Sequence, residues 1–308
     1  MTISKTGLFN SLPVAHRKVR ITKPYPITYR FKAETEFVGK DILTLLKTKF
    51  PFNTEQVWKE RIASGRILIN DVVPDEHRML KSGDQILHFN PHVVEPSVPD
   101  EVEILEITDD YAAVFKPAPL PMHPGGRYNR NTLVEMLKDD GFRDLLIVHR
   151  LDAVTSGLVL FARNKEFARK AMDCFAAGGV KKTYFAHVAG VPADLEVRIS
   201  APIRRKGGFV FESGEALSNA KDAVTHFEVV ETRDNSSIIK CTPVTGRTHQ
   251  IRLHLKHWGF PIIDDPIYGP NGDLSSKSPQ KVGISLISSG LEIPDLGIKL
   301  SLVSSEEV

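Results

Sequence analysis

Residues 91–103 read PHVVEPSVPDEVE, and they restrict the folding of the chain more than any other stretch. Pro91, Pro96 and Pro99 each lack a backbone N–H and lock φ, which disfavours a helix or an interior strand through them. Glu95, Asp100, Glu101 and Glu103 resist burial around those prolines. The stretch reads as a linker between two bodies. A length of 308 residues suits about two domains. The expected division is a basic extension over 1–24, a small domain over 25–90, the linker over 91–103 and a large domain over 104–308.

In the small domain YPITYRFKA alternates as a strand does, and TEFVGKDILTLLKTKF spaces Val38, Ile42, Leu45 and Leu46 as on a helix. NTEQVWKERIASG predicts a second helix, capped by Asn53 or Thr54 and closed at Gly65. RILIN and DQILHF are short strands. The segment RIASGRILINDVVPDEHRMLKSGDQI resembles an S4-like RNA-binding domain, a small α/β module. Glu55 and Glu60 stand on the helix whose face would meet RNA, so the resemblance speaks for the fold more than for binding. From Met1 to Ala33 there is no acid, while Lys5, Arg17, Lys18, Arg20, Lys23, Arg30 and Lys32 carry positive charge. Such a start fits an organelle-targeting peptide, an arm on phosphates or a solvated tail. A cytoplasmic location is expected, with nucleus and mitochondrion left open by this start.

Beyond the linker, strand-like runs such as YAAVFK, GLVLFA, KKTYFAHVAG and SIIKCTPV alternate with helical ones such as TLVEMLKDD, KEFARKAMDCFAAGG and THQIRLHLKHWG. LEIPDLGIKLSLV reads as a closing hairpin. The pattern predicts an α+β domain with a mixed, largely antiparallel sheet. No βαβ rhythm and no Gly-rich phosphate loop is present. Cys174 and Cys241 are the two cysteines and lack a CxxC partner, against a disulfide scaffold or a structural zinc site. No apolar run nears the roughly 20 residues of a membrane-spanning helix. A net charge of +2 permits a nucleic-acid partner without requiring one.

Three segments carry chemistry. In HRLDAVTSGL, Asp152 follows an apolar run; taken alone it reads more readily as a turn or capping aspartate. In KKTYFAHVAG, Lys181 and Lys182 beside Tyr184 suit phosphate contact next to base stacking, or equally a charged edge strand. In VTGRTHQIRLHLKHWGFPIIDDPIYG, Arg247, His249, Gln250 and Arg252 cluster. His254 and His257 share a helix face, but His249 turns away and no HExxH occurs, so no metal site is expected. A guanidinium pairs bidentately with a carboxylate, which makes Asp152 a candidate partner for Arg252.

Taken together and in order, these segments and the upstream FKPAPLPMHPGGRYNRNTLVEML resemble the RluA family of RNA pseudouridine synthases over about residues 100–308. The resemblance implies a catalytic domain of pseudouridine synthase type that isomerises uridines in tRNA or rRNA without cofactor or metal, acting as a monomer. It assigns Asp152 as the catalytic aspartate, Tyr184 as the active-site tyrosine, Arg252 as the arginine paired with Asp152, and Arg150 as the residue that displaces the target nucleotide. Lys181, Lys182, Arg247, His249 and Gln250 are the candidate RNA contacts. The chain departs from the family pattern at Pro119 in KPAPLP, at Phe260, at Asp264 and at Ile287. The competing reading is an RNA-binding or RNA-chaperone protein on the same fold, which would need no Asp152–Arg252 pair.

Overall fold

The computed structural model describes residues 18–51, 53–274 and 282–302. Most of the basic extension precedes residue 18, so the expectation of a targeting peptide or RNA arm there lies outside the described residues. The chain divides into two compact units, Thr22–Glu95 and a larger one made of residues 1–21 and 96–308. The division differs from the expected one at the front. Strand β1 (Val19–Arg20) belongs to the larger unit, and the small unit is inserted after it.

The small unit is a three-stranded antiparallel sheet with two helices. Strand β2 (Tyr25–Lys32) leads to helices α1 (Ile42–Lys49) and α2 (Glu55–Ala63), then β3 (Ile67–Ile69) and β4 (Gln85–Val93), in sheet order β2–β4–β3. Val38 stays outside α1 and is exposed, because Asp41 caps the helix by accepting from Thr44 N at 2.8 Å. Thr54 caps α2, and Gly65 closes it at φ +69°. Asn70 and Asp71 both take positive φ in a tight two-residue turn after β3, the conformation that reverses a twisted hairpin. Ile42, Leu45, Leu46, Trp58, Ile67 and Ile86 form a dry core of their own.

In the larger unit β5 (Val98–Pro99) pairs with β1, so part of the expected linker is a strand rather than a tether. Proline is tolerated there because a two-stranded ribbon leaves one edge unpaired. Strands β6 (Glu103–Ile107) and β7 (Tyr111–Lys116) follow, then helix α3 (Leu133–Asp139), β8 (Leu146–Ile147), β9 (Ser156–Ala162), helix α4 (Lys165–Ala177) and β10 (Lys181–Ala189). Next come β11 (Glu196–Ser200), the hairpin β12 (Ile203–Gly207) and β13 (Val210–Ser213), the long pair β14 (Val224–Arg233) and β15 (Ser236–Pro243), and helix α5 (Gln250–Trp258). Strands β16 (Leu286–Ile293) and β17 (Ile298–Ser301) close the chain as the expected hairpin.

The main sheet has ten strands along the path β11–β14–β15–β10–β16–β9–β7–β6, with β8 and β17 attached. All its pairs are antiparallel except β9 with β16, as expected of a mixed, largely antiparallel sheet. That one parallel pair depends on Gly157. A Cβ there would stand 2.2 Å from the carbonyl oxygen of Ser288, and φ is +115°. Only glycine allows both the angle and the approach. Residues of α4 and β9 share one apolar core, and residues of α5 share another with β14 and β15.

Candidate active site

The apolar run before HRLD forms only the two-residue β8, so the motif occupies a loop rather than a strand end. That loop is nevertheless fully tied down. Leu151 is buried beneath it, and Val154 O accepts from Ile284 N at 2.9 Å. Ala153 O accepts from Leu120 N at 2.8 Å and from Lys116 Nζ at 3.2 Å. His149 accepts from Leu160 N at 2.9 Å through Nε2, and its ring stacks on Phe175. Burial, reinforced by the charge of Lys182, pushes its pKa down to about 4, so the ring is neutral. The imidazole of the motif is thus a fastener of the loop, and the carboxylate three residues later lines a cavity.

Lys116 was not among the expected site residues. It is fully buried, and its ammonium donates to the carbonyls of Pro117, Leu120 and Ala153 at 3.1, 2.9 and 3.2 Å. Three acceptors match its three N–H groups. Burial pushes its pKa down to about 7, with the charge of Asp152 pulling the other way. The signal in the sequence was a lysine closing the otherwise apolar strand YAAVFK.

A cavity of about 280 Å³ opens over Asp152. It is lined by Arg150, Asp152, Tyr184, Lys182, Arg247, His249 and Arg252, with Leu286 of β16 among its apolar walls. Tyr184 comes from β10, at the step where the β10–β16 register shifts. Burial pushes its hydroxyl up to about 12, so it acts as a neutral ring and donor.

Arg252 lies on α5 and is 3% exposed. Its bidentate partner is not Asp152, as expected, but Asp265. Nε reaches Asp265 Oδ2 at 2.6 Å and Nη2 reaches Oδ1 at 2.9 Å, leaving Nη1 to approach Asp152 Oδ2 at 3.4 Å. The planar fork meets two carboxylates at once, with the buried one gripping harder. Asp265 Oδ1 also accepts from Ile267 N and Tyr268 N at 2.9 and 3.0 Å. Burial works against its charge, but the Arg252 hydrogen bonds, the guanidinium charge and those backbone donors prevail and hold its pKa below the ordinary carboxylate value. Tyr268 lies under the guanidinium, 4.9 Å from its centre. Asp265 and Tyr268 sit in the quoted segment IIDDPIYG, where an acid doublet among apolar residues was the available sign.

The remaining candidates separate. Arg150 is exposed at the cavity rim, and among the described residues it makes no ion pair. Lys182 Nζ donates to Thr245 O at 3.4 Å, and Arg247 Nε donates to Asp222 O at 2.9 Å. Gln250 lines the cavity but is spent: it accepts from Thr245 Oγ1 and Arg247 N, and donates to Val224 O and Thr225 Oγ1. Lys181 is exposed and does not line the cavity. His254 has both ring nitrogens engaged, by Thr225 Oγ1 and Ala201 O, each at 2.9 Å. None of the four departures lines the cavity. Pro119 follows a cis peptide bond, Phe260 packs on Trp258, Asp264 accepts from Ser285 N at 2.7 Å, and Ile287 is in the core.

An aspartate touched by a buried arginine, a partly buried tyrosine, and the side chains of Arg150, Lys182 and Arg247 thus line one cavity. Residues 110–257 match the family described as RNA pseudouridylate synthase. RNA pseudouridine synthase 7 of Oryza sativa subsp. japonica is 34% identical over 81% of this chain and 65% of its own length. The mitochondrial tRNA pseudouridine(32) synthase of Saccharomyces cerevisiae is 33% identical over 81% of this chain and 55% of its own. An uncharacterized RNA pseudouridine synthase of Bacillus subtilis, YlyB, is 31% identical over 72% of this chain and 78% of its own. Among solved structures, Human RNA Pseudouridylate Synthase Domain Containing 1 superposes with a TM-score of 0.56 at 27% identity, covering 68% of this chain and 85% of that one. The chain belongs to the RNA pseudouridylate synthase family. It spans about half to four-fifths of the length of these curated relatives.

Proposed function

We propose that the protein is an RNA pseudouridine synthase, an isomerase in which Asp152 is the reacting carboxylate. The observation that carries this is the pairing of Asp152 with Arg252 at the floor of the cavity, 100 residues apart in the chain. Isomerisation cleaves the N1–C1′ bond of a uridine, turns the uracil and joins C5 to C1′, while C5 loses its proton. Nothing is oxidised and no group leaves the nucleotide. The carboxylate attacks C1′, attacks the base, or removes the C2′ proton; all three need a fixed, charged oxygen beside the sugar. Arg252 supplies the fixing, and Asp265 holds Arg252.

Tyr184 offers a flat, neutral face for the uracil while it turns. A base inside folded RNA must first leave its stack, at a cost of a few kcal/mol. Arg150, exposed beside Asp152, is placed to fill the vacated space. Lys182, Arg247 and His249 meet the backbone or base in this reading, whereas Gln250 shapes the loop that carries Arg247. The small unit, with its order strand, helix, helix, strand, strand, serves as the S4-like RNA-binding module. The yeast relative's substrate supports a tRNA target, with rRNA the alternative. No helix among the described residues is long and apolar enough to cross a membrane.

The test is pseudouridine mapping of total RNA with and without the protein, followed by the Asp152→Asn variant on the site so found. The amide keeps shape and hydrogen bonding but is neither base nor nucleophile, so RNA affinity should persist and isomerisation should vanish. Turnover within about tenfold of the unmodified protein, about 1.4 kcal/mol in barrier, would show that another residue reacts.

A further inference from the structure

His249 stands at the start of α5 with φ +58°, in the left-handed region that non-glycine residues seldom occupy. Such an angle persists where the surroundings hold it. Here the holding is visible. The Tyr268 hydroxyl, on a residue 1% exposed, accepts from Phe211 N at 2.9 Å and lies 2.8 Å from His249 Nδ1. The edge of the Phe211 ring completes the grip, 5.3 Å from the imidazole centre. The far nitrogen, Nε2, is 3.9 Å from Asp152 Oδ2.

A backbone N–H only donates, so the Tyr268 oxygen spends acceptor capacity on Phe211 and has its own proton to give to Nδ1. Burial lowers the pKa of His249, and the charges of Arg252 and Arg150 act in the same direction against the pull of Asp152 and Asp265. A neutral ring that accepts this proton at Nδ1 carries its own on Nε2, the nitrogen that faces the carboxylate. Arg252 Nη1 approaches the same oxygen, Oδ2, at 3.4 Å. Both contacts with Asp152 are thus made at the same oxygen.

We propose that His249, oriented by the Tyr268 hydroxyl, is a positioning residue that joins Arg252 in holding Oδ2 of Asp152, so that Oδ1 is the oxygen presented to the ribose. This rests on the isomerase reading and replaces the view of His249 as an RNA contact. The 3.9 Å gap is wider than a hydrogen bond, and contacts of this kind tighten when substrate fills the site. The anchor is the hairpin β12–β13, through Phe211, so the fit of that hairpin against α5 reaches the carboxylate through two side chains.

The experiment uses the full chain and tRNA transcripts tritiated at uridine C5, whose label is released as C5 loses its proton. Single-turnover rates at saturating RNA should fall about 10- to 100-fold in His249→Ala and in Tyr268→Phe, the factor a hydrogen bond to a charged group carries. RNA affinity by filter binding should stay unchanged, and His249→Gln, which keeps a donor, should recover part of the rate. The double variant should be no slower than His249→Ala alone, because Tyr268 acts through the imidazole. Unchanged rates, lost affinity with normal rates, or additive losses overturn the proposal while leaving the isomerase intact. An unsubstituted protein that releases no label from tRNA or rRNA transcripts overturns both. Imidazole ¹⁵N NMR of the unsubstituted protein gives a readout independent of activity: the Nε2–H tautomer at His249 is expected, and the Nδ1–H tautomer refutes the relay.

Discussion

Arg252 shows how a single side chain can serve two carboxylates of different standing. Its grip on Asp265 is buried and bidentate, while its contact with Asp152 is single and longer. Arg252→Ala therefore strands a buried carboxylate, and urea unfolding should show a loss of about 3–5 kcal/mol. Arg252→Lys keeps the charge without the fork, so it should retain more stability than Ala and only part of the activity. An alanine variant as stable as the parent would mean that Asp265 finds another partner. His149 makes a pH-dependent contribution of its own. Its folded pKa of about 4 lies below the 6.5 of a free histidine, so the unfolded chain binds more protons between those values. The stability tied to the neutral ring is complete above pH 6.5 and is lost as pH falls towards 4. In His149→Gln, whose amide oxygen can still accept from Leu160 N, the pH dependence of stability across that window should flatten by about one proton. Equal slopes in the two proteins would place the acid sensitivity elsewhere.

At the scale of elements, the parallel contact between β9 and β16 joins the two parts of the main sheet. Strand β9 follows the Asp152 loop directly, and β16 on its other side pairs with β10, which carries Tyr184. Gly157 is the hinge of this arrangement. Gly157→Ala would place a methyl group 2.2 Å from Ser288 O and 2.6 Å from Ser288 N, both backbone atoms that cannot swing aside. The strands would separate, costing more than the 1–3 kcal/mol typical of overpacking, and activity would fall with the sheet. Thermal unfolding and single-turnover rate of that variant test the point together; a normal melting temperature would show that β16 is not held this closely. A Gly in TSGLVLFA is visible in the sequence as a turn signal, but the residue it must approach, Ser288, lies 131 residues later.

At the scale of the whole molecule, the insertion of the small unit changes how the protein should be cut. Removing residues 1–95 also removes β1, whose Arg20 pairs with Val98 across the ladder and reaches Asp139 at 2.5 Å. Excising 22–95 and joining the ends by a short glycine-rich turn keeps that ribbon, since paired residues of an antiparallel ladder stand only about 5 Å apart. The excised protein should melt higher than the truncated one and retain the chemical step, with weaker RNA binding than the full chain. Equal melting temperatures would mean that β1 contributes nothing to the larger unit. An excised protein that binds RNA normally yet cannot isomerise it would contradict the separation of binding from chemistry.

Local pattern sufficed for much of this. Periodicity and caps place most helices, as Thr54 and Gly65 do for α2, because helix ends and turns are settled by neighbours a few residues away. Motif order brought Asp152, Tyr184, Arg252, Lys182 and Arg247 into one reading, and they line one cavity. What needed the tertiary structure was the sharing out of polar groups. Gln250 has the same standing in GRTHQIR as Arg252, yet four hydrogen bonds consume it. The fork of Arg252 closes on Asp265 because that carboxylate is buried with its backbone donors already in place, a matter of burial that no spacing expresses. Likewise β1 belongs to the larger unit because its partner β5 lies beyond the whole inserted module. The sequence alone determined which chemistry is present and roughly where; long-range packing alone decided which groups are already satisfied and which remain to meet a substrate, since a hydrogen bond depends on distance in space and not along the chain.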